Sequence, residues 1–419
     1  MVTGSEEGPD PQAAPAPAPV PVPTPQAEAP RDLPLAGLTV LDLGQIYQGP
    51  YAGFMLAMAG ARVIKVEQRR GEPLRARGPS LPYAMLNSSK EVITLDLKRP
   101  EGVALFHRLV AVADVVLVNY APGVPERLGI GFDELSKVNP RLVYAHASGF
   151  GLDAGDATPA MDITVQAHTG VMSVTGFPDQ GPVKAGVAFI DFLGGTHLYG
   201  AITTALFERE RTGRGRSVEV AMADATYMTL TSNLGSWQRD GTASRTGNKH
   251  AALGVAPYDV YRCVDGHVAL IAVTNRHWRS VLEVIGQSDL VADERLADNA
   301  GRAANMAEVD DLVEGWTRSR RRDDVVAALQ AAHVPAAAVR DVDEVVRDEA
   351  QHRRGALQWI DHPELGTVPL PHSPIRWHGS ELRSLEPSHP IGADNESVYG
   401  ELLGLDVDEL AALSGDKII

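Results

Sequence analysis

The sequence predicts an α/β protein, with a doubly wound larger domain and a smaller α+β domain set into it. Two observations predict this. From residue 37 to about 240, short continuously apolar runs alternate with stretches carrying apolar residues at helical spacing. Parallel strands covered on both faces read this way. Near residue 240 the texture changes to a polar, glycine-rich stretch, GTASRTGNKHAALG, followed by a hairpin pattern. The first texture is that of a Rossmann-like sheet, whose ligands bind outside the carboxyl ends of the strands.

The elements follow in order. Residues 1–32 are a low-complexity Pro/Ala tail, too poor in apolar side chains to fold and expected to be disordered. Residues 33–240 form the first part of the larger domain. GLTVLDLG is a strand, GPYAGFMLAMAG a helix stopped by Gly60, and ARVIKVE a second strand. EVITLDL, DVVLVNY and RLVYAHASGF read as further strands, with EGVALFHRLVAVA as a helix between the first two. KAGVAFID reads as one more apolar strand, followed by a helix that ends at Gly213, the alternating strand SVEVAM and a last helix to Asp240. Residues 241–335 form the smaller domain, opening with two antiparallel strands that turn at Asp265-Gly266. Residues 336–419 are a return segment completing the larger domain and ending in a helix near DVDELAAL.

Composition excludes several classes. A formal charge of −16 argues against a nucleic-acid partner, which needs a basic face. No run reaches the ~20 apolar residues of a membrane span, and no secretory signal opens the chain, so a soluble cytoplasmic protein is expected. The single cysteine, Cys263, rules out an internal disulfide or a cysteine metal cluster, and the 13 histidines lack HExxH-type spacing. No metal is expected.

Asp191 is the most informative position. It stands at the end of the KAGVAFID run, before Gly194, Gly195 and a helix. A carboxylate there can be a covalent nucleophile on a thioester, with following backbone amides as oxyanion donors and the two glycines leaving room for a bulky substrate. It can equally be a helix-capping aspartate.

The wider pattern resembles the class III CoA-transferase family, which includes formyl-CoA transferases and the 2-methylacyl-CoA racemases. The matching blocks are GLTVLDLGQIYQGPYAGFMLAMAGARVIKVE, LNSSKEVITLDLK, DVVLVNYAPGVPERLGIGFDELSKVNPRLVYAHASGFG and VAFIDFLGGTHLYGAITTALFERERTGRGRSVEVAMADA, with looser matches to the end of the chain. The resemblance implies that Asp191 is the nucleophile, that CoA is a co-substrate rather than a bound cofactor, and that the partners are an acyl-CoA and a small carboxylic acid. It also implies an intertwined, ring-like homodimer.

Carried over residue by residue, Asn119 and Arg127 fall on CoA-contacting positions, and Lys90 and Arg75 are further CoA candidates by charge and neighbourhood. The family's arginine after the KVE strand is Gln68 here, flanked by Arg69 and Arg70. Gln45, Tyr47 and Gln48 fall on the loop that lines the active site; oxalate-using members have glutamine at the position of Tyr47. Asp162 matches an acidic position near the nucleophile and could also be a helix-start aspartate. Two departures narrow the function. The racemases place a proton-shuttling histidine where Met161 stands, and neither His146 nor His168 occupies that position, which favours transfer over racemisation. The four-glycine loop of the oxalate enzymes is GNKHAALG here, which points to another acid. Lys184, Arg245, Lys249 and His250 could pair with the distal carboxylate of a succinyl-type group, or be solvated loop charges. The alternatives kept open are a racemase, a non-catalytic CoA-binding protein and a nicotinamide oxidoreductase, the last disfavoured because no GxGxxG follows the first strand.

Overall fold

The computed structural model describes residues 33–153 and 158–419, so the Pro/Ala stretch 1–32 lies outside the described residues. Six parallel strands form the central sheet: β1 (Thr39–Asp42), β2 (Arg62–Glu67), β3 (Glu91–Thr94), β4 (Val115–Val118), β5 (Val143–Ser148) and β6 (Ser217–Ala221). Their spatial order is β3-β2-β1-β4-β5-β6, with every neighbouring pair parallel. The winding therefore reverses between β1 and β4, where an open sheet leaves a crevice for ligands.

The apolar runs are continuous because both faces are covered. In β4, Val115 and Leu117 enter one core while Val116 and Val118 enter the other. The first core packs the helices Gln48–Met58 and Phe189–Thr212 on the sheet through Phe54, Leu56, Leu198 and Ile202. The opposite core packs the helices Pro100–Val112 and Asn395–Leu403 through Phe106, Leu109, Val398 and Tyr399. Side chains this fully buried contribute about 1.5–3 kcal/mol each.

The return segment reaches both cores. β10 (Leu357–His362) and β11 (Gly366–Pro371) form an antiparallel hairpin whose Ile360 and Leu370 join the first core. Residues 394–399 seal the free edge of β3. The Val92 N–H donates to Asp394 (2.6 Å), the Thr94 N–H to Asn395 (2.8 Å), and the Tyr399 hydroxyl donates to the Thr94 carbonyl (2.9 Å). An edge strand's unpaired groups are thereby satisfied without a seventh strand.

A separate apolar cluster is drawn from residues 256–334, with Tyr261, Trp278 and Val281 at its centre and Cys263 buried in it. Its sheet is antiparallel: β7 (Tyr258–Cys263), β8 (Gly266–Ile271) and β9 (Ala336–Ala338). Here the structure departs from the sequence reading twice. Cys263 pairs with Gly266, so the turn is Val264-Asp265. Residues 336–338 close this small sheet, so the return segment starts after Ala338.

The largest departure is at KAGVAFID, which is not a strand. Residues 184–188 have no regular structure, and the helix Phe189–Thr212 already begins at Phe189. Among the described residues no helix is long and apolar enough to cross a membrane, and no cluster of three metal-ligating side chains occurs.

Candidate active site

The loop that leaves β1 lies at the reversal point of the sheet, and side chains from several elements hold its backbone. Asp42 accepts the Gly44 N–H (2.8 Å), and buried Lys65 donates to the Gly44 carbonyl. Asn119, just after β4, accepts the Gln45 N–H (2.7 Å) and donates to the Gln45 carbonyl (2.8 Å). Glu72, from the segment after β2, accepts the Ile46 N–H (3.0 Å). Ile46 has φ of 64°, left-handed backbone on a β-branched residue, a conformation that costs about 1–2 kcal/mol and persists only when its surroundings impose it.

The helix Gln48–Met58 starts directly after this loop, and its N-terminus meets the first turn of the helix Phe189–Thr212. Gly194 and Gly195 make the approach possible. A methyl group on Gly194 would lie 2.8 Å from the Gln48 side chain, and one on Gly195 would lie 2.7 Å from the Gln48 carbonyl oxygen. The two glycines are therefore buried helix-packing positions, filled by Gln48 rather than leaving the room for a bulky substrate that the sequence suggested. Gln48 is itself buried, and its side-chain amide donates to the Val220 carbonyl (3.3 Å). Tyr47 precedes the helix and packs edge-on to Phe192, ring centroids 5.9 Å apart.

Asp191 sits in that first turn, beside the Gln48 N–H. Burial pushes its carboxyl up from the ordinary aspartate range to about 7; the neighbouring Asp162 carboxylate adds to the rise, and the Gln48 N–H pulls against it. Asp162 is not a cap of its own helix, Asp162–His168. One of its oxygens accepts from the backbone N–H groups of Ile190 (3.0 Å) and Asp191 (3.4 Å), capping the Asp191 helix from outside. Its other oxygen accepts from Gln166 (2.5 Å), whose own amide oxygen accepts from the Ala185 N–H (2.9 Å). A carboxylate pair, a helix N-terminus and a fixed backbone amide thus converge on Asp191. The arrangement suits a nucleophile that gains and loses negative charge.

Other expected site residues are placed elsewhere. Lys90 is fully buried, and its three N–H groups go to Asp42 (2.7 Å), the Pro50 carbonyl (2.8 Å) and Asn87 (3.2 Å), leaving none for a ligand. Arg75 pairs with Glu67 (2.8 Å), lies over the Tyr83 ring and donates to the His389 carbonyl (2.7 Å), tying the post-β2 segment to the return segment. Asn119 has both polar atoms engaged by Gln45, so it shapes the loop. Lys249 is bound by Asp259 and Asp310, and Arg245 donates to the Phe177 and Ser173 carbonyls. Lys184 is exposed and folds onto the Ala185 carbonyl, and His250 packs edge-on to Tyr258. His146 is bonded to the Tyr120 carbonyl and His168 packs on Phe150.

A model of CoA-transferase family III matches residues 35–395. The chain belongs to CoA-transferase family III. Within the family it is similar to the succinyl-CoA–D-citramalate CoA-transferase of Chloroflexus aurantiacus (32% identity, covering 92% of this chain and 98% of that one). It is also similar to the acetyl-CoA:oxalate CoA-transferase of Acetobacter aceti (34% identity, 85% and 92%). A crystal structure of a CaiB/BaiF family protein from Brucella suis superposes with a TM-score of 0.77 at 33% identity, covering 88% of this chain and 99% of that one.

This family III chain has a cavity of about 430 Å³ at the carboxyl ends of β2, β3 and β4. Gln45, Gln68, Arg69, Arg70, Lys98 and Tyr120 line it. Gln45 joins it to the loop beside Asp191. Arg127 is exposed at the end of the helix Val124–Arg127, between the lining residues Val124 and Leu128. Sequence reasoning assigned no role to Lys98 or Glu72. For Lys98 the signal was present: it lies four residues past the carboxyl end of β3, where an open sheet receives ligands. For Glu72 nothing local marks its contact with Ile46.

Proposed function

We propose that the protein transfers CoA from an acyl-CoA to a carboxylic acid through covalent chemistry on Asp191. The observation that carries this reading is a mostly buried carboxylate, raised to about 7, at a helix N-terminus beside a fixed backbone amide. The ionised carboxylate attacks the thioester carbonyl and expels CoA thiolate, leaving a mixed anhydride. The thiolate attacks the aspartyl carbonyl of the anhydride, which releases the donor acid and leaves an aspartyl-CoA thioester. The acceptor carboxylate attacks that thioester, CoA leaves, and its return to the acceptor's acyl carbon regenerates Asp191. Each step keeps the acyl energy in a covalent bond. The Gln48 N–H is the candidate oxyanion donor, and Asp162 holds the helix that carries the nucleophile.

The basic cavity lined by Arg69, Arg70 and Lys98, with Arg127 nearby, suits the phosphates of CoA. Of the positions first assigned to CoA, Arg127 keeps a direct role in this reading, and Asn119 acts through the loop. Dicarboxylic acids are the proposed substrates, because both relatives above are named for CoA transfer involving one. Transfer is favoured over racemisation because the charged group acting on Asp191 is Asp162, and exposed Met161 stands where a proton shuttle would be needed. We further propose a cytoplasmic homodimer. Phe207, Met228 and Trp237 are 67%, 74% and 61% exposed on the Asp191 helix and those after it, large apolar side chains that a second copy would cover.

Trapping tests the reading. The protein is incubated with succinyl-CoA and other acyl-CoAs, treated with hydroxylamine or borohydride, and mapped by mass spectrometry. Modification of Asp191 that depends on acyl-CoA is expected. CoA binding without modification by any donor would overturn it.

A further inference from the structure

We infer that Glu72 is a positioning residue of the acyl-transfer site: by accepting the Ile46 N–H it fixes the left-handed turn that sets the Gln48 backbone against Asp191. The inference rests on the transferase reading of Asp191. Three consecutive N–H groups after β1, those of Gly44, Gln45 and Ile46, go to three different side chains, Asp42, Asn119 and Glu72. The carbonyls of Gly44 and Gln45 accept from Lys65 and Asn119. Two residues further on, Gln48 packs against Gly194 and Gly195 in the Asp191 helix, and its N–H pulls the Asp191 carboxyl down. The loop is thus held at three consecutive residues, Gly44, Gln45 and Ile46, just ahead of Gln48.

Glu72 holds the residue with the least favourable backbone in this loop. Ile46, with φ of 64°, has no steric reason to stay left-handed, and its N–H is directed by the Glu72 oxygen. Glu72 is 3% exposed, and its other oxygen, Oε1, has no hydrogen-bond partner among the described residues. A buried, half-satisfied carboxylate is a poor device for stability alone. Fully buried Lys65 supplies the compensating charge. A carboxylate enclosed in this way, holding a strained residue two positions from the amide beside the nucleophile, is explained by the geometry it imposes.

The test compares Glu72→Ala, Glu72→Leu and Glu72→Gln in the full-length protein. Leucine preserves buried volume without an acceptor, and glutamine preserves an acceptor without the charge. Thermal melts and circular dichroism establish that each variant is folded. Turnover and Asp191 adduct formation are then measured with the acyl-CoA that labels wild type, and amide hydrogen exchange is followed in the peptide 43–50. Alanine and leucine are expected to lower kcat by about 10²-fold, as a misplacement of about 1 Å does. The KM for acyl-CoA should stay within about threefold, and the peptide 43–50 should lose protection. Glutamine should restore both readouts to near wild type. Folded Ala and Leu variants with wild-type kcat would overturn the inference, as would a Gln variant as impaired as they are. A wild-type protein that forms no Asp191 adduct would instead sink the transferase reading itself, which separates the two failures.

Discussion

Asp42 and Asp191 both lie at the ligand-binding side of the sheet, and they are held in opposite electrostatic states. Asp42 is fully enclosed. Burial pushes its carboxyl up, but Lys90 and Lys65 outweigh burial and hold it below the usual carboxylate range. Asp191 is less deeply buried, yet its close charged neighbour is another carboxylate and its acidity falls. The difference lies in the partner, not in the depth. A buried carboxylate given a lysine is committed to structure, whereas one given only a helix N-terminus and a second carboxylate is left with charge to use.

The strongest way to break the comparison is Asp191→Asn. It should remove the acyl adduct and lower turnover by about 10⁴-fold or more, as loss of a covalent nucleophile does. Near pH 4, where the folded Asp191 carboxyl keeps its proton, its melting temperature should stay near wild type, measured by calorimetry. At Asp42 the consequences should be reversed. Lys90→Met leaves a fully enclosed carboxylate without its cation and should cost about 3–5 kcal/mol in urea unfolding. Adding Asp42→Leu should recover part of that loss, since an apolar pair avoids burying charge.

A smaller effect tests the packing that brings Asp191 to Gln48. Gly195→Ala places a methyl group 2.7 Å from the Gln48 carbonyl. It should cost about 1–3 kcal/mol of stability and lower kcat more than KM. The smallest effects are in pH dependence. Asp162→Asn removes the neighbouring charge, so the acidic limb of the kcat profile should move to lower pH. Stability gives an independent sign. As pH rises from about 4, the unfolded chain ionises Asp191 first, while the folded carboxyl keeps its proton until about 7. Relative to Asp191→Asn, wild type should therefore lose stability between those values and lose no more above them.

The sheet was legible because its signal is repeated and local. Five of its strands read as apolar runs, and SVEVAM gave β6 by its alternation. KAGVAFID failed for the same reason: six apolar or small residues in a row look like a buried strand, yet Val187 is 69% exposed and the helix begins two residues later. Nothing near Asp191 announces that its helix is capped by Asp162, 29 residues away. The glycine pair was visible, but its purpose depends on Gln48, which contact with a distant helix alone reveals. Lys90 and Arg75 were misassigned because charge in a sequence does not show whether a partner is waiting inside the fold. Asp191 itself was found through the ordered blocks around it, since from position alone it reads as a cap.

The seal on β3 has a consequence for how the protein is made. Val92 and Thr94 take their partners from Asp394 and Asn395, some 300 positions downstream. A ribosome adding about 5–20 residues per second needs roughly 15–60 s to bridge that gap. For that interval the nascent chain carries an apolar parallel sheet with an open edge and one partly covered face, the conditions under which strands of different molecules pair. The residues of the separate apolar cluster, 256–334, are synthesised within the same interval, before the partners of β3 appear.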